Sequence, residues 1–164
     1  MNIVLVEPEI PQNTGNVART CAAIGATLHL VHPLGFRVDD RAVRRAGLDY
    51  WHLVSVRHHQ SLDAFLGELD PREVILFSSK AAVPFTEIDY PPSAYLVFGN
   101  ETSGLPDRLI ASHVGPVVRI PTVHGARCLN LSNAVAVGAY EAARQAGFAG
   151  LETSRGASGR EGTD

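Results

Sequence analysis

The sequence has few cysteines and no long hydrophobic run, and each of these scarcities excludes a class of protein. Two cysteines, Cys21 and Cys128, are too few for the disulfide framework of a small secreted protein, so we expect a reducing compartment. No segment reaches the roughly 18 consecutive apolar residues that a membrane helix needs. The first residues also lack the basic region and cleavage site of a signal peptide. We therefore expect a cytoplasmic protein without a membrane partner.

The sequence also lacks the short motifs of several enzyme classes. It has no G-x-G-x-x-G turn for dinucleotides, no G-x-x-x-x-G-K-[ST] phosphate loop and no G-x-S-x-G elbow of a hydrolase. The seven histidines show neither H-x-x-x-H nor H-E-x-x-H spacing, so we expect no catalytic metal. The missing phosphate loops also disfavour a generic nucleotide-binding domain of the flavodoxin type.

Lysine is almost absent, because Lys80 is the only lysine among 14 basic residues. Arginine suits bidentate contacts with phosphate, although a GC-rich genome gives the same bias and is the simpler explanation. The net charge of −3 argues against binding nucleic acid through overall charge, but it leaves room for a local basic patch.

Short β-rich runs alternate with helical patterns. The six predicted strands are NIVLVE, ATLHLVHP, HLVSVR, EVILFSS, AYLVFG and PVVRIP. Their alternation with helices predicts an α/β domain with a mostly parallel six-stranded sheet flanked by helices. We assign residues 1–150 to this single domain. Residues 151–164 are rich in glycine, serine and charge, and we expect them to form a disordered tail.

Several helix boundaries are predicted from capping residues. Asn13 or Thr14 caps the first helix, and Gly25 ends it. The segment DDRAVRRAGL predicts a second short helix, and Ser61 begins another. Cys21 lies within an apolar helical pattern, which indicates a core position.

Four polar segments, three of them carrying glycine, each follow a predicted strand: PEIPQNTGN, SSK, GNETSGLP and PTVHGARCLNLSN. Ligands of open parallel sheets bind outside the carboxyl ends of the strands, so these segments are the candidate site. In the first, Asn13 and Arg19 stand out, although capping and a surface arginine explain them equally well. In the third, Glu101 lies between two turn glycines, an arrangement that an ordinary strand-to-helix turn also explains.

The fourth segment places polar residues at the start of a helix that is apolar almost all the way round. Ser132 or Asn130 explains an N-cap. One N-cap needs only one polar side chain, so capping does not explain why Asn130, Asn133 and Arg127 occur together.

Taken together, the segments NTGNVAR, LVFGNETSGLP and RIPTVHGARCLNLSNAVAVGAYEAARQ resemble the three motifs of the SPOUT-class 2′-O-ribose methyltransferases of tRNA and rRNA. The resemblance covers the chain from Asn2 to about Phe148. The short length and the stretch EPEIPQNTGN are nearest to the smallest members, which act on the wobble nucleotide of tRNA. The resemblance implies methylation of the ribose 2′-hydroxyl of nucleotide 34, a cytidine or uridine.

The resemblance also implies a SPOUT fold with a deep C-terminal trefoil knot, a homodimer, and S-adenosyl-L-methionine as the methyl donor. The implied donor-binding residues are Phe77, Ser78, Gly99, Ile120, Cys128, Leu129 and Asn130. The chain departs from the family at two positions. Thr122 stands where the family often has methionine, and Cys128 stands where it usually has serine.

The remaining functional residues implied by the resemblance fall into three groups. Arg19 matches the arginine that acts on the ribose hydroxyl, and Asn13, Glu101, Ser132 and Asn133 orient substrate and donor. The candidate RNA-binding residues are Arg37, Arg41, Arg44, Arg45, Arg57, His58, His59 and Arg127, for each of which a solvated surface is the simpler explanation. Tyr140, on a helix with more apolar faces than one core needs, is assigned to the dimer interface. Alternatives are methylation of another tRNA or rRNA site, or a non-catalytic RNA-binding dimer.

Overall fold

The computed structural model describes residues 1–37, 52–67 and 69–153, and the strands in these ranges form one sheet. The strands are β1 Asn2–Val6, β2 Thr27–Val31, β3 Val56–His59, β4 Val74–Phe77, β5 Val83–Pro84, β6 Tyr95–Phe98 and β7 Val117–Arg119. Their order in the sheet is β3-β2-β1-β6-β4-β7-β5. All neighbouring strands are parallel. The prediction of an α/β fold with a mostly parallel sheet is therefore confirmed.

Two details of the sheet differ from the prediction. The described sheet has seven strands and not six, because the two-residue strand β5 pairs with β7. A run of two residues that ends in proline leaves no strand pattern to detect. The third strand was expected at residues 52–57 but begins at Val56, where it pairs with Leu28, and continues to His59. Leu53, which belongs to the predicted strand, lies in a turn and is exposed.

Four α-helices lie in the described ranges: α1 Pro11–Ile24, α2 Leu62–Leu66, α3 Asp107–Ala111 and α4 Leu131–Gln145. A short 3₁₀ turn covers Pro71–Glu73. Two predicted boundaries are confirmed. Gly25 ends α1 with a φ of 66°, a left-handed conformation that glycine adopts without strain. The hydroxyl of Ser61 caps α2 by accepting the N–H of Ala64.

The predicted cap of α1 is wrong. The helix begins at Pro11, so Asn13 and Thr14 lie inside its first turn. Proline fits this first position because its missing N–H would have no helical partner there. The helix predicted in DDRAVRRAGL lies outside the described residues, as do Arg41, Arg44, Arg45 and residues 154–164 of the predicted tail.

Side chains alternate between the two faces of the sheet and build a core on each. Ile3 and Leu5 of β1 pack on one face together with α1 and α4, through residues such as Val17 and Val135. Val4 and Val6 pack on the other face, which α2 and α3 cover with Leu62, Phe65 and Leu109. Cys21 is fully buried in the first core, as predicted. No helix within the described ranges is both long and apolar enough to span a bilayer.

His29 of β2 is buried among polar and aromatic groups, and this makes stability depend on pH. Its ring stacks on His59, and its two nitrogens lie 2.9 Å from His59 Nε2 and 3.3 Å from Asn2 Oδ1. Burial, with smaller contributions from the charges of His59 and Arg57, lowers the pKa of His29 from 6.5 to about 4.

We expect the free energy of unfolding to decrease as the pH falls from about 6.5 to about 4. In this window the unfolded chain binds a proton that folded His29 does not, so the contribution of this residue is complete above pH 6.5 and is lost below it. The contribution of His29 to the free energy of unfolding changes by at most about 1.4 kcal/mol per pH unit. Urea unfolding at a series of pH values measures this slope, with His29→Gln as the comparison. An equal slope in wild type and His29→Gln would contradict the assignment.

Candidate functional site

A cavity of about 580 Å³ opens at the carboxyl ends of the central strands. This volume is in the range of small-molecule sites. Its walls come from the loops that follow β1, β4, β6 and β7, so all four polar segments singled out in the sequence contribute to it. Strands β2 and β3 lie on one side of β1, and all later strands of the described sheet lie on its other side. The junction between β1 and β6 is therefore the topological switch point of the sheet. Parallel sheets bind ligands at such points.

Two phenylalanines form an apolar wall of this cavity. The rings of Phe77 and Phe98, at the ends of neighbouring strands, stack with centroids 4.5 Å apart and planes 20° apart. Helix α4 packs closely on the pair at Gly138, where an added Cβ would lie 2.8 Å from the Phe77 ring. Phe98 has no counterpart among the predicted residues. Its position directly before Gly99 was the only available signal.

Gly99 allows the turn after β6 to fold back on itself. A Cβ at this position would lie 1.9 Å from the carbonyl carbon of Gly104 and 2.1 Å from the backbone nitrogen of Leu105. The turn is completed by Asn100, whose carbonyl accepts the N–H of Gly104 and whose side-chain oxygen accepts the N–H of Ser103. Only glycine permits this close approach of two backbone segments, which form part of the cavity lining.

Glu101 joins this turn to the start of α1. Its carboxylate accepts the backbone N–H of Glu9 at 2.8 Å, the N–H of Ile10 at 3.2 Å and the side-chain amide of Asn13 at 2.9 Å. A second link runs between the same segments, because the Thr102 hydroxyl donates to the Glu9 carboxylate. A negative charge at the start of a helix is also favourable toward the helix dipole. Glu101 therefore holds the first two motifs in one arrangement.

Asn130 extends the network to the third motif. Its amide donates to Asn13 Oδ1 at 2.9 Å, and its side-chain oxygen accepts both the N–H and the hydroxyl of Ser132. Asn130 is thus the N-cap of α4 and at the same time a contact to α1. Three of the residues assigned to substrate and donor orientation, Asn13, Glu101 and Ser132, lie in one continuous hydrogen-bonded chain that includes Asn130.

The structure places the other predicted residues in different locations. All seven candidate donor-binding residues line the cavity, as do the exposed Arg127 and Thr122. Arg19 and Asn133 are exposed on α1 and α4 and are not among the residues that line it. Arg57, His58 and His59 lie on β3, and Arg37 is exposed at the end of the described loop after β2. Tyr140 lies on α4 with 48% of its surface exposed.

Two basic residues of the cavity were not singled out individually, although Lys80 belongs to the candidate segment SSK. Lys80 follows β4 and pairs with Asp107 at 2.7 Å on the surface. Arg119 ends β7, and its Nε has no hydrogen-bond partner among the described residues. In the sequence both look like ordinary surface charges at strand ends.

The two cysteines occupy opposite environments. Burial raises the pKa of the Cys21 thiol to about 12, so this residue is a protonated core side chain and not a nucleophile. Cys128 is exposed at the cavity. Within the part of the chain that the structure describes, no three His, Cys, Asp or Glu side chains group closely enough to hold a metal ion.

The parallel sheet, its switch-point cavity and the three linked loops define an α/β protein in which three sequence motifs meet at a cavity of small-molecule size. Residues 1–140 match the family described as SpoU rRNA Methylase, and the chain belongs to this family.

Named relatives and solved structures are similar over most of the chain. The tRNA (cytidine(34)-2′-O)-methyltransferase of Saccharophagus degradans is 49% identical over 150 residues, covering 91% of this chain and 97% of the relative. A solved structure described as giving insights into the 2-OH methylation of C/U34 on tRNA has 46% identity and a TM-score of 0.85, covering 90% of this chain and 96% of that one. An AdoMet-bound rRNA methyltransferase from Sinorhizobium meliloti has 26% identity and a TM-score of 0.79, covering 87% of this chain and 55% of its own.

Proposed function

We propose that the protein methylates the ribose 2′-hydroxyl of nucleotide 34, a cytidine or uridine, in tRNA, with S-adenosyl-L-methionine as the donor. The observation that carries the proposal is the convergence of the three family motifs on one cavity, through the chain Glu101–Asn13–Asn130–Ser132. The identity of 49% to a protein named for this reaction supports the choice of substrate. A tRNA substrate also supports a cytoplasmic location.

The cavity fits the donor in size and in chemistry. Its Phe77–Phe98 wall is apolar, and the close packing at Gly99 leaves backbone groups at the cavity surface. The residues that would hold the donor are Phe77, Ser78, Gly99, Ile120, Cys128, Leu129 and Asn130. S-adenosyl-L-methionine supplies an electrophilic methyl group on a sulfonium. Contacts through backbone groups tolerate Cys128 and Thr122 in place of the serine and methionine of the family.

We further propose that the chain from β7 to α4 is threaded as a trefoil knot. The strand order supports this, because β7 lies between β4 and β5, which precede it in the sequence, and β6 likewise lies between β1 and β4. The loops that such threading would bring together are the ones that line the cavity.

The residues around the cavity orient the two reactants. A ribose hydroxyl is a weak nucleophile, so it must be held in line with the methyl group while its proton is removed. We assign Arg19 to hydrogen bonding of that hydroxyl or its neighbouring phosphate, because a guanidinium keeps its own protons. Asn13, Glu101 and Ser132 maintain the site as one hydrogen-bonded unit, and Asn133 lies near its edge on α4.

A homodimer reconciles the position of Arg19 with this role. Arg19 is exposed on α1, outside the cavity of its own chain, and α1 packs against α4. On α4, Val137 and Tyr140 are 37% and 48% exposed and form an apolar strip. We propose that this strip packs on a second copy, so that Arg19 reaches the cavity of the partner.

The substrate nucleotide lies in a single-stranded loop, where a base can be turned outward and bound. We propose that Arg127 contacts RNA at the cavity and that Arg57 and His58 contact it along the sheet edge. Arg41, Arg44 and Arg45 are proposed contacts from the sequence alone.

The proposal is tested by mapping modified nucleosides in tRNA after incubation with the protein and donor carrying a labelled methyl group. We expect mass spectrometry of nuclease fragments to place the label on the ribose of nucleotide 34. Asn130→Ala, which breaks the link between the motifs, serves as the inactive comparison. Label at another tRNA position, or only on rRNA fragments, would replace the proposed substrate. Donor binding by calorimetry without any transfer would indicate the non-catalytic alternative.

A further inference from the structure

Four histidines on β2, on β3 and at the residue that follows β2 form two imidazole pairs. In the inner pair, His29 stacks on His59 next to Phe65 and Tyr95. In the outer pair, His32 Nε2 lies 3.0 Å from His58 Nδ1, and the ring centroids are 5.3 Å apart. His58 and His59 are neighbours on β3 and therefore face opposite sides of the sheet, which separates the two pairs.

The outer pair lies at the same edge of the sheet as the cavity. His32 directly follows β2, and His58 is the penultimate residue of β3, so both lie at carboxyl ends. Strand β3 is three positions from β6 in the sheet, about 14 Å at the usual strand spacing. The loop after β2 bridges part of this distance, because the Gly35 N–H donates to the Pro8 carbonyl and Gly35 packs directly on Glu9. A single RNA strand that places one nucleotide at the cavity therefore has a backbone phosphate at the outer pair within a few nucleotides.

The segments around the outer pair carry charges of both signs. The charged or titratable residues on the adjoining elements are Arg57 and His59 on β3, His29 on β2, Arg37 in the loop after β2, and Glu7 and Glu9 after β1. Burial, with smaller contributions from the charges of His32 and His59, lowers the pKa of His58, which favours the neutral form of this ring in the absence of an anion.

A neutral imidazole pair has a specific hydrogen-bonding capacity. Each neutral ring has one N–H and one acceptor nitrogen. The contact between His32 and His58 uses one of each, which leaves one N–H and one acceptor on the outer nitrogens. Adding one proton converts that acceptor to a second N–H donor and gives the pair a positive charge. A phosphate accepts hydrogen bonds only and stabilises this charge.

We propose that the His32–His58 pair is a binding site for a phosphate of the RNA backbone, and that it takes up one proton from solvent when the phosphate binds. This inference rests on the proposed function, since it assumes that RNA lies across the carboxyl edge of the sheet. It predicts that tRNA affinity increases as the pH falls, through these two residues in particular.

The test is the affinity for tRNA between pH 6 and pH 8 at constant ionic strength, measured for the wild type, His32→Asn and His58→Asn. We expect the wild type to bind up to about tenfold more tightly at pH 6 than at pH 8, tenfold being the limit for a shift of one pKa unit on binding. In both variants the affinity for tRNA should depend much less on pH. At pH 8 the affinity of each variant should be close to that of the wild type. His52→Asn, which removes another exposed histidine, should retain the full dependence.

A second control separates protonation from fixed charge. Arg57→Gln removes a fixed positive charge from the same strand. The affinity of this variant for tRNA should depend on pH as in the wild type, whatever the size of that affinity. If Arg57 contacts a phosphate, the variant should also lower the slope of tRNA affinity against salt concentration by about 1. Equal pH dependence in wild type, His32→Asn and His58→Asn, or a pH-independent wild type, would overturn the inference and leave the proposed function intact. A wild type that neither binds nor methylates tRNA would overturn both.

Discussion

Arg19→Ala is expected to lower methyl transfer to tRNA by a factor of about 10² to 10⁴ while donor affinity stays at the wild-type level. The factor is that of losing a group that aligns or polarises a reacting hydroxyl. Donor affinity should not change, because Arg19 is not among the residues that line the cavity of its own chain. Single-turnover methylation measures the first quantity and calorimetry the second. Arg72→Ala is the matched control, since Arg72 is exposed and pairs only locally with Asp70.

The position of Arg19 allows a sharper experiment with mixed dimers. An Arg19→Ala chain keeps its cavity, whereas an Asn130→Ala chain keeps Arg19 but loses the hydrogen bond to Asn13. If Arg19 serves the partner, a dimer of the two chains has one complete site, and it should recover a large part of the activity of one wild-type site. Purification through two different affinity tags isolates this mixed dimer. No recovery above the two parent variants would place Arg19 in its own chain's site or outside the reaction.

Gly99→Ala is expected to abolish donor binding and to lower the free energy of unfolding by about 1–3 kcal/mol, the range for overpacked sites. The new methyl group would lie 1.9 Å from one backbone carbon and 2.1 Å from a backbone nitrogen, and neither atom can move aside as a flexible side chain does. The turn after β6 must open, and with it the cavity wall and the position of Glu101.

Calorimetry with the donor and chemical unfolding measure the two effects of Gly99→Ala. Gly67→Ala is the control, because a Cβ at that exposed position meets nothing closer than 3.4 Å. It should unfold at nearly the wild-type denaturant concentration and bind the donor normally. Wild-type donor affinity in Gly99→Ala would show that the turn is not part of the site.

The fold class could be predicted because its signals are local. Buried parallel strands appear as short apolar runs, and helices appear between them with caps such as Ser61 and Gly25. The location of the cavity could be predicted as well, since polar segments after parallel strands meet at one edge of the sheet. All four polar segments singled out in the sequence contribute residues to the cavity.

What the sequence could not provide depends on contacts between distant residues. Asn13 was interpreted as a helix cap, but its amide group bonds to Glu101 and Asn130, 88 and 117 residues away in the chain. The start of β3 is set by pairing with Leu28 and not by its own apolar residues. Strand β5 exists only because β7 lies beside it. The imidazole pairs likewise require knowledge of which strands are neighbours.

The place of β1 in the sheet has a consequence for synthesis of the protein on the ribosome. β1 is synthesised long before β6. β2 soon pairs with one edge of β1, but the other edge pairs with β6, where Asn2 faces Tyr95. Until that later strand is made, the nascent chain presents an unpaired, strongly apolar strand edge, the kind of surface that promotes aggregation. The growing polypeptide is therefore most exposed to aggregation between synthesis of β1 and synthesis of β6, an interval that ends with translation of the second motif.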